Sequence, residues 1–141
     1  MQGPRAEILL VEDDANDVAI AMRAFRKHSL DERVCVLRDG VELLEYLKTH
    51  DLRGRPPKVI LLDLKMPRMD GRAVLRELRS RPETRHVPVV IVSSSDHPGD
   101  VRECYELGAN SFVVKQMTPF MPGTYLVDIV RYWLDINAIV N

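Results

Sequence analysis

Glu12, Asp13 and Asp63 are carboxylates set at the ends of two short apolar runs, Ile8-Leu9-Leu10-Val11 and Val59-Ile60-Leu61-Leu62. A continuous apolar run of that length, closed by turn residues, predicts a strand buried on both faces of a parallel sheet. A side chain at the last position of such a strand emerges at the carboxyl edge, where open α/β sheets bind their ligands. Two further runs end the same way: Val89-Val90-Ile91-Val92 delivers Ser93 and Ser94, and Phe112-Val113-Val114 delivers Lys115. One crevice therefore gathers three acids, a hydroxyl and an ammonium. Three carboxylates at a low-dielectric edge repel one another unless a cation sits among them. Mg²⁺ suits such a set, since it takes oxygen ligands and keeps several waters. A carboxylate there can attack an incoming phosphoryl group and become an acyl phosphate. Asp63 is the predicted nucleophile, because it lies between the acidic pair and the Ser and Lys strands. The backbone carbonyl of Lys65, in the following loop, is the fourth predicted metal ligand. Lys115 would neutralise phosphoryl oxygens, while Ser93 and the Ser94 backbone would hydrogen-bond them.

Strand and helix patterns alternate along the chain, which argues for βα units around a parallel sheet. The predicted strands are about 7–11, 33–37, 59–62, 89–92 and 111–114. The first helix is expected to be capped at Asn16 and to bury Val18, Met22 and Phe25. The second carries Val41, Leu44 and Leu47 at helical spacing. The third, after the turn-forming stretch 65–71, buries Val74, Leu75 and Leu78. The fourth opens in 96–100 and stops at Leu107-Gly108, where Gly suits a left-handed position. The last begins near Gly123 and runs to Ile136 or beyond. Five strands and five helices give a flavodoxin-like doubly wound α/β fold, with strand order 2-1-3-4-5 if every crossover is right-handed. Strands one and three are then neighbours, so Glu12, Asp13 and Asp63 meet.

At 141 residues the chain has the size of one domain. Its 20 Lys+Arg against 21 Asp+Glu leave a formal charge of −1, so no basic field supports nucleic-acid binding. The absence of a long apolar run or a signal-peptide pattern argues against a membrane and for the cytoplasm. Cys35 and Cys104 lack redox or zinc spacing and are expected to be buried thiols. Asp14, Asp70 and Asp96 read as turn or helix caps. His28, His50, His86 and His97 are too scattered to ligate a metal and read as surface or loop residues. Met66, Met69, Met117 and Met121 read as gap filling.

Four ordered motifs resemble the receiver domain of two-component response regulators. They are Leu9-Leu10-Val11-Glu12-Asp13-Asp14, Leu61-Leu62-Asp63-Leu64-Lys65-Met66-Pro67-Arg68-Met69-Asp70-Gly71, Pro88-Val89-Val90-Ile91-Val92-Ser93-Ser94, and Gly108-Ala109-Asn110-Ser111-Phe112-Val113-Val114-Lys115. The likeness covers about residues 7–131. It implies that Asp63 is the phosphoacceptor, that Glu12 and Asp13 hold Mg²⁺, that Ser93 is the switch hydroxyl and Lys115 the phosphate-binding lysine. It also places Phe112 at the family's aromatic switch position and implies a phosphohistidine donor, on a sensor histidine kinase or a phosphotransfer protein. The loop before strand three and the ending Val130-Arg131-Tyr132-Trp133-Leu134-Asp135-Ile136-Asn137 further resemble single-domain response regulators that partner phytochrome-type photoreceptor kinases. One position departs from the family: Gln116 follows the lysine where proline is usual. The loop 115–122 is therefore expected to take a different path, with Met117, Phe120 and Met121 in unusual contacts.

The C-terminal segment is apolar on many sides, from Tyr125 through Val140. A helix apolar all round must be covered on both faces. This predicts a homodimer through Tyr125, Ile129, Tyr132, Trp133, Ile136 and Ile139, with 132–141 as a helical extension of a single domain. The leading expectation is a phosphorylation switch that signals through protein contacts, without a DNA-binding output domain and without multiple turnover. The alternative is a receiver fold kept as a phosphorylation-independent docking or dimerisation module. An aspartyl-phosphate phosphatase would need a second acid at the position of Lys65. An FMN carrier would need a Ser/Thr/Gly loop where the first βα turn instead offers acids.

Overall fold

A computed structural model describes residues 6–50, 52, 55–116 and 122–139. The expectations for Met117, Phe120, Met121 and Val140 fall outside these residues. The strands are β1 (Ile8–Val11), β2 (Val34–Leu37), β3 (Val59–Leu62), β4 (Val89–Ser93) and β5 (Ser111–Val114). They form one all-parallel sheet in the order β2-β1-β3-β4-β5, as the right-handed crossover rule requires. The register pairs Val11 with Leu62, so Glu12 and Asp63 each stand one step beyond level partners at the switch point.

The helices are α1 (Ala15–Lys27), α2 (Gly40–Thr49), α3 (Gly71–Ser80), α4 (Pro98–Glu106) and α5 (Thr124–Arg131). Alternation along the strands divides the core in two. Ile8, Leu10, Val59, Leu61, Val90 and Val92 pack against α1 and α5. Leu9, Val11, Ile60, Leu62, Val89 and Ile91 face the side of α2, α3 and Cys104 of α4. Both faces of the central strands are thus buried, which is why they read as unbroken apolar runs.

Several helix details differ from expectation. Asp14, not Asn16, caps α1, its carboxylate accepting from the Asp17 amide at 3.0 Å. The buried positions of α1 are Ala21, Ala24 and Phe25, while Val18 and Met22 are half-buried. Leu43 and Leu47 form the inward side of α2, and Val41 points outward. Phe25 and Leu47 are buried as expected, while the other inward positions fall on neighbouring residues, because more than one apolar set fits a period of 3.6. In α3 the expected Val74, Leu75 and Leu78 are all buried.

Two glycines are needed where they stand. Gly108 ends the α4 turn with φ of 105°, as predicted. Gly71 opens α3 against the chain just after β3: its amide donates to the Leu64 carbonyl at 2.9 Å. A Cβ at Gly71 would lie 2.8 Å from the Asp63 carbonyl oxygen. Glycine here lets α3 seat directly behind the backbone that leaves β3. Arg79 of α3 fixes the opposite edge. Its guanidinium donates to the carbonyls of Gly108 (2.9 Å) and Val87 (2.9 Å) and to Asn110 Oδ1 (3.0 Å). Asn110 Oδ1 also accepts from the Val89 amide, so one arginine ties the entries of β4 and β5 together.

The last helix is α-helical only to Arg131 and continues as a π-helical turn over Tyr132–Ile136. Leu126, Val127, Val130 and Leu134 are buried against the sheet. Tyr125, Ile129 and Trp133 are half-buried, leaving Tyr132 and Ile136, 44% and 74% exposed, as the large apolar side chains standing out here. The segment is therefore better covered by its own domain than its composition suggested. Cys104 is buried and Cys35, on the edge strand, only half-buried; both are free thiols. No helix among the described residues is long and apolar enough to cross a membrane.

Candidate functional site

The carboxyl ends of β1, β3, β4 and the residue after β5 converge as predicted. Glu12, Asp13, Asp63, Lys65, Ser93, Ser94 and Lys115 all line one cleft of about 240 Å³, joined by Asp14, Asp17 and Ser95. Ligand oxygens of Glu12, Asp13 and Asp63 lie within 4.8 Å of one another. Backbone bonds set these positions: the Glu12 amide donates to Leu37, the Asp63 amide to Val11 and the Lys115 amide to Ser93 (2.9, 3.1 and 2.7 Å). Each is a continuation of the sheet ladder, so the site inherits the rigidity of the sheet.

Of the two lysines at this cleft, Lys115 is the one that contacts the acids at its floor. Its Nζ donates to Glu12 Oε1 at 2.7 Å and to Asp17 Oδ2 at 2.8 Å, and stands 3.7 Å from Asp63 Oδ2. Burial pushes the Glu12 carboxyl up to about 7; the Lys115 hydrogen bond opposes this, and the neighbouring Asp63 adds to it. Burial alone would lower Lys115, but hydrogen bonds to Asp17 and Glu12 and the field of Asp63 outweigh it and hold the ammonium well above its ordinary range. The site has excess negative charge under low dielectric. That is the condition in which a hard divalent cation binds, and three carboxylate oxygens are its preferred donors, so the residues fit Mg²⁺.

Ser93 is 2% exposed and its Oγ accepts from the Ser95 amide at 3.1 Å. Ser95 Oγ donates to Asp100 Oδ2 at 2.6 Å, and Arg72 of α3 bridges Asp100 (2.6 Å) and Glu103 (2.8 Å) of α4. The Ser93 hydroxyl is thus the first member of a polar chain reaching α3 and α4. Phe112 is half-buried against the α3–α4 side of the core, outside the cleft, and its amide donates to Tyr105 Oη at 3.1 Å.

Sequence reading missed Asp17, Asp39 and Arg68. Asp17 had a legible signal, since it sits in the first turn of a helix that begins beside the pocket. Asp39 is buried, caps α2 and accepts from Arg68 at 2.6 Å. Arg68 adopts a left-handed φ of 65°, which carries its side chain across to α2. A pair 29 residues apart, formed through an unusual backbone angle, leaves no mark in local sequence.

A parallel β2-β1-β3-β4-β5 sheet with an acid triad at its switch point, faced by a serine and a lysine, defines a receiver. The family model for the response regulator receiver domain matches residues 8–120, and the chain belongs to that family of two-component signalling proteins. Response regulator Rcp1 of Synechocystis sp. is 32% identical over 134 residues, 94% of this chain and 91% of its own. The crystal structure of its Mn²⁺-bound form matches with a TM-score of 0.82, at 30% identity over 98% and 100% of the two chains. The phosphorylated cyanobacterial phytochrome response regulator RcpA gives 0.81, 30% identity and the same coverage, 98% and 100%. The bacteriophytochrome response regulator AtBRR gives 0.72 and 35% identity over 99% of each chain. The narrower likeness read from the loop before β3 and the C-terminal ending agrees with these relatives.

Proposed function

We propose that Asp63 accepts a phosphoryl group from a phosphohistidine and that the chain signals through the resulting change in its surface. The observation that carries this reading is the Asp63 carboxylate lying within 4.8 Å of the Glu12 and Asp13 oxygens and 3.7 Å from Lys115 Nζ. An Asp63 carboxylate oxygen attacks phosphorus, the P–N bond breaks, and the imidazole leaves with the electron pair and takes up a proton. Lys115 donates to a phosphoryl oxygen, offsetting charge that builds on the transferring group. Ser93 exchanges its Ser95 contact for another phosphoryl oxygen, and the Ser94 amide supplies a second donor. Glu12, Asp13, Asp63 and the Lys65 carbonyl would hold Mg²⁺, which supplies electrophilic stabilisation of the phosphoryl oxygens. Phe112 turns inward as Ser93 moves, which links the pocket to the α4–β5–α5 face.

Such a chain is a phosphoacceptor that consumes one donor per event, not a multiple-turnover enzyme. The donor is a sensor histidine kinase or phosphotransfer protein in the cytoplasm, and the relatives favour a phytochrome-type kinase. Residues 7–131 form one receiver unit, and 132–141 its C-terminal extension. The test is intact mass after incubation with acetyl phosphate. Wild type should gain one phosphoryl group with Mg²⁺ and none when the metal is chelated. No gain in either condition would leave the phosphorylation-independent docking module as the better reading.

A second element of the reading is a homodimer. Exposed Tyr132 lines a shallow concavity with Asn110, Ser111, Ile129 and Trp133, beside the edge strand β5, and exposed Ile136 follows four residues further along. Tyr132 and Trp133 meet edge to face at 5.1 Å, giving a firm aromatic ridge suited to self-association. Truncation after Arg131 would remove buried Leu134 and confuse folding with assembly. Ile136→Glu avoids that: light scattering should show a dimer for wild type and a monomer for the variant, with the circular dichroism spectrum of the folded chain unchanged and only the concentration-dependent part of the melting temperature lost. A wild-type monomer at micromolar concentration would end this reading.

A further inference from the structure

The phosphoryl chemistry requires Lys115, but nothing in it requires the acid that Lys115 touches on α1. Asp17 Oδ2 accepts from Lys115 Nζ at 2.8 Å, nearly a full ångström closer than Asp63. Its side chain is 30% exposed and that of Lys115 only 12%, so Asp17 meets the ammonium at the cleft rim while Glu12 meets it from below. The position of Asp17 is itself fixed: its amide donates to the Asp14 carboxylate that caps α1, at 3.0 Å. On its following side Lys115 has Gln116 and no proline ring, and the Gln116 backbone is hydrogen-bonded to Tyr125 of α5, a contact that holds the chain but does not touch the ammonium.

We infer that Asp17 is a positioning residue that holds the Lys115 ammonium over Asp63 from the first turn of α1. The inference rests on the phosphoacceptor reading above. An ammonium has three donors in tetrahedral directions. With two taken by Glu12 and Asp17, the third is left for the Asp63 side, where an incoming phosphoryl oxygen would accept it. Glu12 is also a metal-ligand candidate, and an oxygen engaged by a cation is a poorer acceptor. Asp17 has no such second duty. It is the partner that stays with Lys115 throughout, and it ties the lysine to the rigid first turn of α1.

A purely structural role for Asp17 is the alternative, since an acid in the first turn favours a helix through the macrodipole. Three proteins separate the two: wild type, Asp17→Ala and Asp17→Asn. For each, the initial rate of phosphorylation at saturating acetyl phosphate is followed by intact mass, together with the Mg²⁺ concentration giving half the maximal rate. In the metal-free proteins the ¹⁵N–¹H resonance of the Lys115 ammonium is recorded, a signal that sharpens when the group is held by acceptors. Asp17→Ala should lower the saturated rate about tenfold, the worth of one charge-assisted hydrogen bond. The Mg²⁺ half-saturation point should stay within about twofold, and the lysine resonance should broaden away. Asp17→Asn, which keeps an acceptor oxygen at the same reach, should recover most of the rate. Equal rates for wild type and Asp17→Ala would overturn the inference, as would a faster Asp17→Ala, which would make Asp17 a competitor for the lysine. A lower melting temperature with an unchanged rate would also overturn it. Wild type that takes up no phosphoryl group would instead be the failure of the phosphoacceptor reading itself.

Discussion

Asp63→Asn is expected to take up no phosphoryl group under conditions that label wild type completely, and to melt at a higher temperature than wild type without metal. The first effect follows from chemistry: a carboxamide oxygen is too weak a nucleophile to form an acyl phosphate. The second follows from the charge balance of the cleft. Glu12, Asp13 and Asp63 crowd their oxygens within 4.8 Å, and Asp63 is one of the causes that raise the Glu12 carboxyl. Removing one negative charge relieves that repulsion, while Lys115 keeps its two shorter contacts to Glu12 and Asp17. A net gain of about 1–2 kcal/mol is reasonable for a charge pair at this separation, screened as protein sites are. For a chain of this size that is roughly 3–6 °C. Mg²⁺ should raise the melting temperature of wild type and have much less effect on the variant. Phosphorylation of Asp63→Asn at another residue, or a lower melting temperature, would show that the carboxylates are not arranged in mutual opposition. A functional residue that costs stability is expected where binding has been favoured over folding.

The parts of this site that could be read from sequence are those the sheet itself dictates. A buried strand announces its end by the change from apolar to polar, and a parallel sheet brings all such ends to one edge. Glu12, Asp63, Ser93 and Lys115 were legible for that reason, and the register of β1 on β3 bears it out. Helix phases were less legible: α1 and α2 each offered two apolar sets, and only packing on the sheet selects one. Least legible were residues that act across the fold. Arg68 reaches Asp39 through a left-handed backbone angle, and Arg72 joins Ser95 to α4 through Asp100. Such contacts depend on where loops lie relative to helices, which no local pattern encodes. The apolar C-terminus was legible as unusual but overstated, because Leu134 turns back into its own core.

The affinity for Mg²⁺ is expected to depend steeply on pH below neutrality and very little above it. In the metal-free protein the Glu12 carboxyl is raised to about 7, chiefly by burial and further by Asp63. A proton therefore competes with the cation for Glu12 below that pH. Binding should weaken about tenfold for each unit of acidification below about pH 7, one proton being displaced per ion. Above pH 7 Glu12 is already ionised and the affinity should level off. Lys115 does not titrate in this window, since its acid partners hold the ammonium well above its ordinary range. The same shift acts on folding with a fixed sign. A carboxyl raised in the folded state costs nothing below its unfolded value near 4.5. The cost to metal-free stability grows as pH rises from there and is complete above about 7. Mg²⁺ should therefore stabilise the protein most at the pH where the metal-free form is most penalised. Calorimetric titrations at pH 6, 7 and 8, in buffers of different ionisation enthalpy, measure both the affinity and the protons released. About one proton should be released per ion at pH 6 and close to none at pH 8, and Glu12→Gln should bind weakly with no pH dependence in this range. A wild-type affinity that is flat from pH 6 to 8 would mean that Glu12 is ionised throughout, its charge carried by Lys115 alone. In that case metal binding must first break the 2.7 Å Glu12–Lys115 contact, and Glu12→Gln would free the lysine instead of emptying the site.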